Sequence, residues 1–540
     1  MIRITNFSVP ADNALPLDEL AARYLRVPIS AVADTVIVRQ TLDARRYHGS
    51  PLQFVYVLDV RLQTGEDRVL TRLRRDKHVT AAPLPEASLL SGICPRDFTA
   101  PEKRPIVIGF GPAGMFAALC LARAGLQPLV LERGQDVDTR REVIERFWQG
   151  GDLDENTNVQ FGEGGAGTFS DGKLTTRSSD PRMADVLETF IASGAPAEIR
   201  YLHKPHIGTD KLRGIVKNIR REICRLGGEV RFGALVTDLE IAHGAVRAVV
   251  VGDSDRILAG AIFLGIGHSA RDTYAMLYGR GVFMEPKAFA AGVRIEHPQA
   301  LINAAQYGRD ADNTRLPAAD YALTYKDRTT GRGAYSFCMC PGGQVVAAAS
   351  ESGRLVTNGM SLYARDSGVA NAALLVNVTP DDFGGHVLGG IAFQREYEQL
   401  AFQTAGGSWR APVQTVGDFL QGKRGSTSFL VPPTYQPGVM PTDLHGCLPA
   451  FITHTLAAAL PYFDIRLHGF ADPGAPMTGV EMRSSSPCRI GRDRQSYISL
   501  STSGLYPMGE GAGYAGGIMS AAVDGLNTAL AFLEKIRHTN

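Results

Sequence analysis

The sequence predicts an α/β fold of parallel strands and helices, interrupted by a β-rich α+β insertion and preceded by a small α/β unit. Three observations predict it. The stretch PIVIGFGPAGMFAALCLARAGLQPLVLERG, residues 105–134, reads as strand, glycine-rich turn, helix and second strand. A second glycine-rich helix start, GEGAGYAGGIMSAAVDGLNTALAFLEK, lies near the end of the chain. Between them, residues 271–480 are rich in β-like segments and loops. The expected units are 1–100, 101–270, an inserted 271–480 and a completing 481–540.

Composition narrows the class. At 540 residues the chain is too long for one ordinary core, and a formal net charge of +1 argues against whole-chain attraction to nucleic acid or an anionic membrane. MIRITNFSVP has no apolar leader, no stretch is long and apolar enough to span a bilayer, and the seven cysteines show no repeated framework. These features predict a cytoplasmic protein with reduced thiols.

Residues 1–100 supply strand-like Ile2 to Val9, helical Leu17 to Tyr24, and β-rich Thr35 to Arg39 and Phe54 to Arg61. Arg72, Arg74, Arg75 and Lys77 form a basic cluster, but acids nearly balance bases over this unit, so a solvated helix face is expected rather than an RNA surface. Pro83, Pro85, Pro95, Pro101 and Pro105 mark residues 81–105 as a linker.

The apolar run Ile106 to Phe110 reads as a buried strand, and Gly109-Phe110-Gly111-Pro112-Ala113-Gly114 turns it into a helix. Gly109 permits the turn, Gly111 lets the backbone approach a pyrophosphate, and Gly114 lets the helix pack on the strand. Free N–H groups at the helix start favour the phosphates. The strand Pro128 to Leu131 then delivers Glu132, with Arg133 beside it, about 20 residues on, where an acid accepts from a ribose hydroxyl.

Val137 to Trp148 is expected to be helical. Residues 158–177 carry Gly162, Gly164, Gly165, Ala166, Gly167 and Gly172, the composition of a backbone passing close to something flat or anionic; Glu163 and Lys173 are the charges it would bring. Thr209 is the expected cap of an amphipathic helix bearing Leu212, Ile215, Val216, Ile219 and Ile223, closed by Gly227-Gly228. His203 and His206 lack further ligands, so no metal is expected. Glu229 to Leu264 reads as a β-meander ending in Gly265-Ile266-Gly267-His268, a strand expected to return the chain to the first nucleotide rather than to open a second. Phe289 to Ile295, Tyr321 to Lys326, Gln344 to Ala349 and Ala373 to Val378 are β-like. Cys338 and Cys340 are expected to be structural, with both thiols on one face of a strand. Near the C-terminus, Gly509-Glu510 precedes a helix start at Gly516-Gly517-Ile518, where the helix end would favour negative charge.

Two glycine-rich helix starts around a β-meander resemble FAD-binding proteins of the glutathione-reductase-like superfamily. The resemblance implies that Gly109, Gly111 and Ala113 hold the pyrophosphate, Glu132 the adenosine ribose, and Val236 the adenine through its backbone. It further implies that Glu510 holds the ribityl or pyrophosphate region, while Gly516 to Ile518 approach the isoalloxazine. The usual Gly-Asp pair is Gly509-Glu510 here. NVQFGEGGAGTFSDGKL, KPHIGTDKL, GVRIEHPQ, SFCMCPGG, TNGMS and GLYPMGEGAGYAGGI more narrowly resemble the bacterial FAD-dependent dehydrogenases.

The implied function is an FAD-dependent oxidoreductase moving a hydride or two electrons to or from a small organic substrate under the 271–480 unit. NAD(P)H is a candidate transient donor. Lys173, His206, His268, Cys338 and Cys340 are the candidates for charge stabilisation and proton transfer. A flavin-dependent monooxygenase and an FAD-containing RNA-binding or RNA-modifying protein are the alternatives, the last opposed by the balanced charge of residues 1–100.

Overall fold

The computed structural model describes all residues except 46–50, 85–87, 91, 99–100, 177–178, 426 and 538–540. Pro85 of the expected linker and Arg177 at the end of the glycine-rich loop lie outside the described residues.

Three-residue strands form a five-stranded parallel sheet in the order 505–507, 262–264, 106–108, 129–131, 229–231. Alternation points successive side chains to both buried faces of the sheet, so 106–108, 129–131 and 262–264 are wholly apolar, while the edge strand 229–231 carries Glu229 and Arg231. Val107, Val130 and Phe263 face the helices Pro112–Arg123 and Ile518–Lys535. Ile106, Ile108, Leu129, Leu131, Ile262 and Leu264 face the opposite layer, where Val236, Leu239, Val246 and Val249 come from a three-stranded antiparallel sheet.

The expected meander is thus divided. Glu229–Arg231 belongs to the parallel sheet, only 236–242, 245–251 and 255–258 form the antiparallel one, and Ile262–Leu264 returns beside Ile106–Ile108. A helix, Arg271–Gly279, does follow Gly265, but the next strand, Met284–Pro286, pairs with Cys488–Ile490 outside the parallel sheet.

The chain leaves this layer at about residue 280 and builds a seven-stranded, mostly antiparallel sheet before Leu505–Pro507 rejoins. Phe289–Pro298 is its central strand. Its odd-numbered residues, Val293 and Ile295 among them, share a core with Ile452, Leu456 and Phe463 of the helix Ala450–Arg466, while Arg294 and Glu296 lie on the other face. A buried ion cluster ties the two layers: Arg271 and Arg483 both bond Glu398, and Arg271 and Arg395 bond Glu351. The N-terminal unit is a four-stranded antiparallel sheet in the order 32–43, 53–62, 2–10, 79–81. Arg72, Arg74, Arg75 and Lys77 are exposed on it, across the end of the helix Glu66–Arg72 and the turn beyond.

Candidate functional site

One cleft of about 1660 Å³ runs between the glycine-rich helix starts, the seven-stranded sheet and the N-terminal sheet. Its floor is the turn after Ile106–Ile108. Gly109 has φ +90°, and a Cβ there would lie 2.4 Å from the Gly265 carbonyl oxygen; a Cβ on Gly114 would lie 1.9 Å from that of Gly109. Glycine is therefore required for the turn to nest between its own helix and the neighbouring strand end.

Glu132 is buried at the rim of this turn. Its Oε2 accepts from the Phe110 N–H at 2.7 Å, and its Oε1 from those of Gly134 and Gly162, both at 2.9 Å. The acid braces three backbone segments as well as lining the cleft. Arg133 donates to both oxygens of Asp272 and stacks on Phe161.

The glycine-rich loop is buried and shaped by a residue that the sequence did not single out. Arg140, on the helix Val137–Trp148, is fully buried and donates to the carbonyls of Asn158, Val159, Gly162, Glu163 and Gly165. Burial lowers its guanidinium to about 10 against the pull of Glu132 and Glu163, so it stays charged at neutral pH. Glu163, expected at the site, instead turns inward. It accepts from the Val137 N–H and pairs with Arg220 at 3.0 Å, because the loop's carbonyls claim the cation beside it. Thr209, the expected cap, is the first residue of the helix Thr209–Arg225, and its hydroxyl donates to the Thr168 carbonyl; Gly208 holds the cap position.

The cleft brings together Gly109, Phe110, Gly111, Pro112, Ala113, Glu132, Arg133, Gly165, Ala166, Gly167, Lys173, Val236, Gly265, Gly267, His268, Cys338, Glu510, Gly516, Gly517 and Ile518. Gly114, Gly164, Gly509, His206 and Cys340 are not in its wall. Gly114 and Gly164 are packed against Gly109 and Thr168. Gly509 donates its N–H to Asp524, which also holds Arg492. His206 is stacked on Tyr363, bonded to its carbonyl, and lowered by burial, so it is shut off from direct proton transfer in the cleft. Cys340 is buried behind Cys338, and the strand carrying both is bulged rather than regular.

His268 Nδ1 lies 3.3 Å from Glu510 Oε1, while its Nε2 is buried without a partner. Lys173 Nζ donates to the Met339 carbonyl and sits 4.0 Å from Asp171, which Arg365 also binds. The N-terminal sheet adds Arg3, Thr5, Val38, Arg39 and Val57 to the wall. No motif marks these; only the alternation of the strands hints at which side chains face away from that unit's own core.

A family model described as "FAD-dependent protein, C-terminal domain-like" matches residues 288–484. A Clostridium beijerinckii protein described as "Uncharacterized protein" is 48% identical over 537 residues, 99% of each chain. Among solved structures, a geranylgeranyl bacteriochlorophyll reductase-like protein from Thermoplasma acidophilum aligns at 12% identity and TM-score 0.36, covering 80% of this chain and 78% of that one. CtdE in complex with FAD aligns at 12% identity and TM-score 0.30, covering 80% and 84%. The cleft itself suits FAD: a phosphate-sized approach at Gly109–Ala113, an unpartnered His268 Nε2, and open space above Gly516 and Gly517, where an added Cβ would meet nothing within 4 Å. The chain belongs to the family of FAD-dependent proteins bearing this C-terminal domain, and FAD is its cofactor.

Proposed function

We propose that the chain is an FAD-dependent oxidoreductase of dehydrogenase or reductase type, acting on a small organic molecule that enters the cleft beneath the seven-stranded sheet. The observation that carries this reading is the single cleft. Both glycine-rich helix starts and the Lys173 loop share it with Cys338 of the inserted unit, with Glu481 and Arg483 just beyond that unit's end, and with the N-terminal sheet. It is larger than the roughly 300–1,000 Å³ of an ordinary ligand pocket, which leaves room for a dinucleotide and a second molecule.

In this reading residues 101–270 and 481–540 bind FAD in the manner of the glutathione-reductase-like superfamily, residues 271–480 hold substrate, and residues 1–100 cover the opening. The pyrophosphate lies on Gly109–Ala113, the adenosine ribose by Glu132 and Arg133, and the adenine by the Val236 backbone. Gly165–Gly167 and Gly265–Gly267 line its path. Glu510 and His268 hold the ribityl region, and Gly516–Ile518 approach the ring. When bound, the flavin supplies two-electron chemistry. The chain's part is to orient, to exclude water and to balance charge. The Lys173 ammonium is placed to offset negative charge, on the ring or on an acidic substrate, and His268 to hold or pass a proton at Nε2.

The test is an absorbance spectrum of the purified protein followed by anaerobic addition of NADH or NADPH. Bleaching by one nicotinamide identifies a reductase that admits the donor to this cleft. A flavin that stays oxidised identifies a dehydrogenase reduced by its own substrate or by a partner. Absence of flavin after incubation with FAD overturns the reading of the cleft.

A further inference from the structure

The strand Gly333–Cys340 puts Cys338 into the cleft wall at a point where it is not a regular strand. Its register with Val369–Val378 breaks between Phe337 and Cys340, and Cys338 has φ +41°, a conformation that non-glycine residues adopt at a cost. In a regular strand the two thiols would stand about 7 Å apart, at the limit for bridging. The bulge turns the Cys340 thiol back toward its neighbour's backbone, where it donates to the Cys338 carbonyl at 3.2 Å.

The charges around the pair are arranged to match. Arg294, fully buried, donates to the Cys338 carbonyl at 3.1 Å, and its Nη1 lies 4.0 Å from Cys340 Sγ. Its carboxylate partner is Glu481. Lys173 reaches the Met339 carbonyl between the two cysteines, and its neighbour Asp171 is bound by Arg365. Three cations and two carboxylates converge, so a thiolate at Cys338 would neutralise the group. Of the other titratable side chains near the cluster, Tyr321 and His206 are neutral at pH 7, since burial raises the first and lowers the second, and Glu296, on the same strand face as Arg294, is raised by burial to about 7. The Cys340 hydrogen bond, then Arg294 and Lys173, hold Cys338 well below the usual thiol range, while Cys340 is driven up.

We infer that Cys338 and Cys340 are a redox-active dithiol that exchanges an electron pair with FAD bound in the cleft. The inference rests on the reading of the cleft as the FAD site. In the oxidising direction the Cys338 thiolate and the Cys340 thiol form one S–S bond and the Cys340 S–H bond breaks. The two sulfurs give up two electrons, and oxidised FAD takes both together with the Cys340 proton, becoming the reduced anion. The reverse reaction opens the disulfide and returns the proton to Cys340. Cys338, the half-buried sulfur, faces the substrate space; Cys340, buried behind it, resolves.

Anaerobic dithionite titration of the diamide-treated holoprotein tests this, with the electrons taken up counted per bound FAD. Wild type is expected to take up four electrons, and Cys338→Ser and Cys340→Ser two each. On diamide treatment the wild-type peptide holding both cysteines is expected to become lighter by two hydrogen atoms and to resist iodoacetamide. Uptake of only two electrons by wild type overturns the inference, as does alkylation of both cysteines after diamide. The peptide mass is read on wild-type protein, so it decides even where the variants lose FAD. A wild-type protein without FAD would instead overturn the cleft reading beneath, a failure the peptide mass separates from failure of the cysteine pair.

Discussion

Gly109 answers two demands at once, a left-handed φ of +90° and a backbone approach that would leave a Cβ 2.4 Å from the Gly265 oxygen. Strain of about 1–3 kcal/mol corresponds to about tenfold or more in affinity. Gly109→Ala is therefore expected to purify with a flavin-to-protein absorbance ratio far below wild type, and an unchanged ratio would mean that FAD does not lie on this turn. Glu296 carries a different kind of residue-level consequence. It is buried on the cleft-side face of Phe289–Pro298, accepting from the Thr434 N–H and hydroxyl. Burial raises its carboxyl from 4.5 to about 7. The folded state thus keeps a proton that the unfolded chain has released. The stability this group contributes is full below pH 4.5 and is lost as pH rises through about 7, a span worth about 3 kcal/mol. Glu296→Gln is expected to remove that fall, leaving the variant above wild type in thermal midpoint at about pH 8. Parallel melting curves of the two proteins across the window would show it.

At the scale of elements, the two glycine-rich helix starts share a cleft because their helices pack without an intervening side chain. A Cβ on Gly525 of Ile518–Lys535 would lie 2.1 Å from the Ala113 carbonyl oxygen of Pro112–Arg123. Gly525→Val should force the helices apart, lowering stability by about 1–3 kcal/mol and FAD content with it. Gly214 on Thr209–Arg225 is the control: nothing lies within 4 Å of its Cβ position, so Gly214→Ala should instead raise stability by about 0.5–1 kcal/mol. Thermal midpoints of opposite sign for two helical glycines would separate packing from propensity. Both helices were legible in sequence, as were Ile106–Ile108 and Val137–Trp148, because continuous apolar runs and 3.6-residue periodicity are local signals. Glu229–Arg231 was legible as a strand but its place in the parallel sheet was not, since it takes its partner from Leu129–Leu131 across a hundred residues of chain. Arg140 was hidden for a related reason: its carbonyl partners have no side-chain signature. The bulge at Cys338 was invisible because alternation alone predicts a flat strand.

At the scale of the whole molecule, the N-terminal sheet is held over the cleft by the edge strand Val32–Asp43. The Gln40 N–H donates to the Tyr201 carbonyl at 2.8 Å, and the Gln40 carbonyl accepts from the His203 N–H at 2.9 Å. Arg39 Nη2 lies 3.1 Å from His203 Nδ1 beside them. The outer edge of a strand is where proline is tolerated, because the lost N–H is not one that its own sheet uses. Gln40→Pro should therefore spare the N-terminal sheet while loosening its hold on residues 201–203. Loss of backbone bonds of this kind costs about 1–3 kcal/mol, enough to raise the population of an open cleft by about tenfold. If this sheet covers the flavin, iodide should quench the flavin fluorescence of Gln40→Pro more steeply than that of wild type, at unchanged FAD content. The Michaelis constant for any substrate held from this side should rise with it. Equal quenching in the two proteins would mean that residues 1–100 do not screen the cofactor, and that Arg3, Thr5 and Val38 line a part of the cleft remote from the ring.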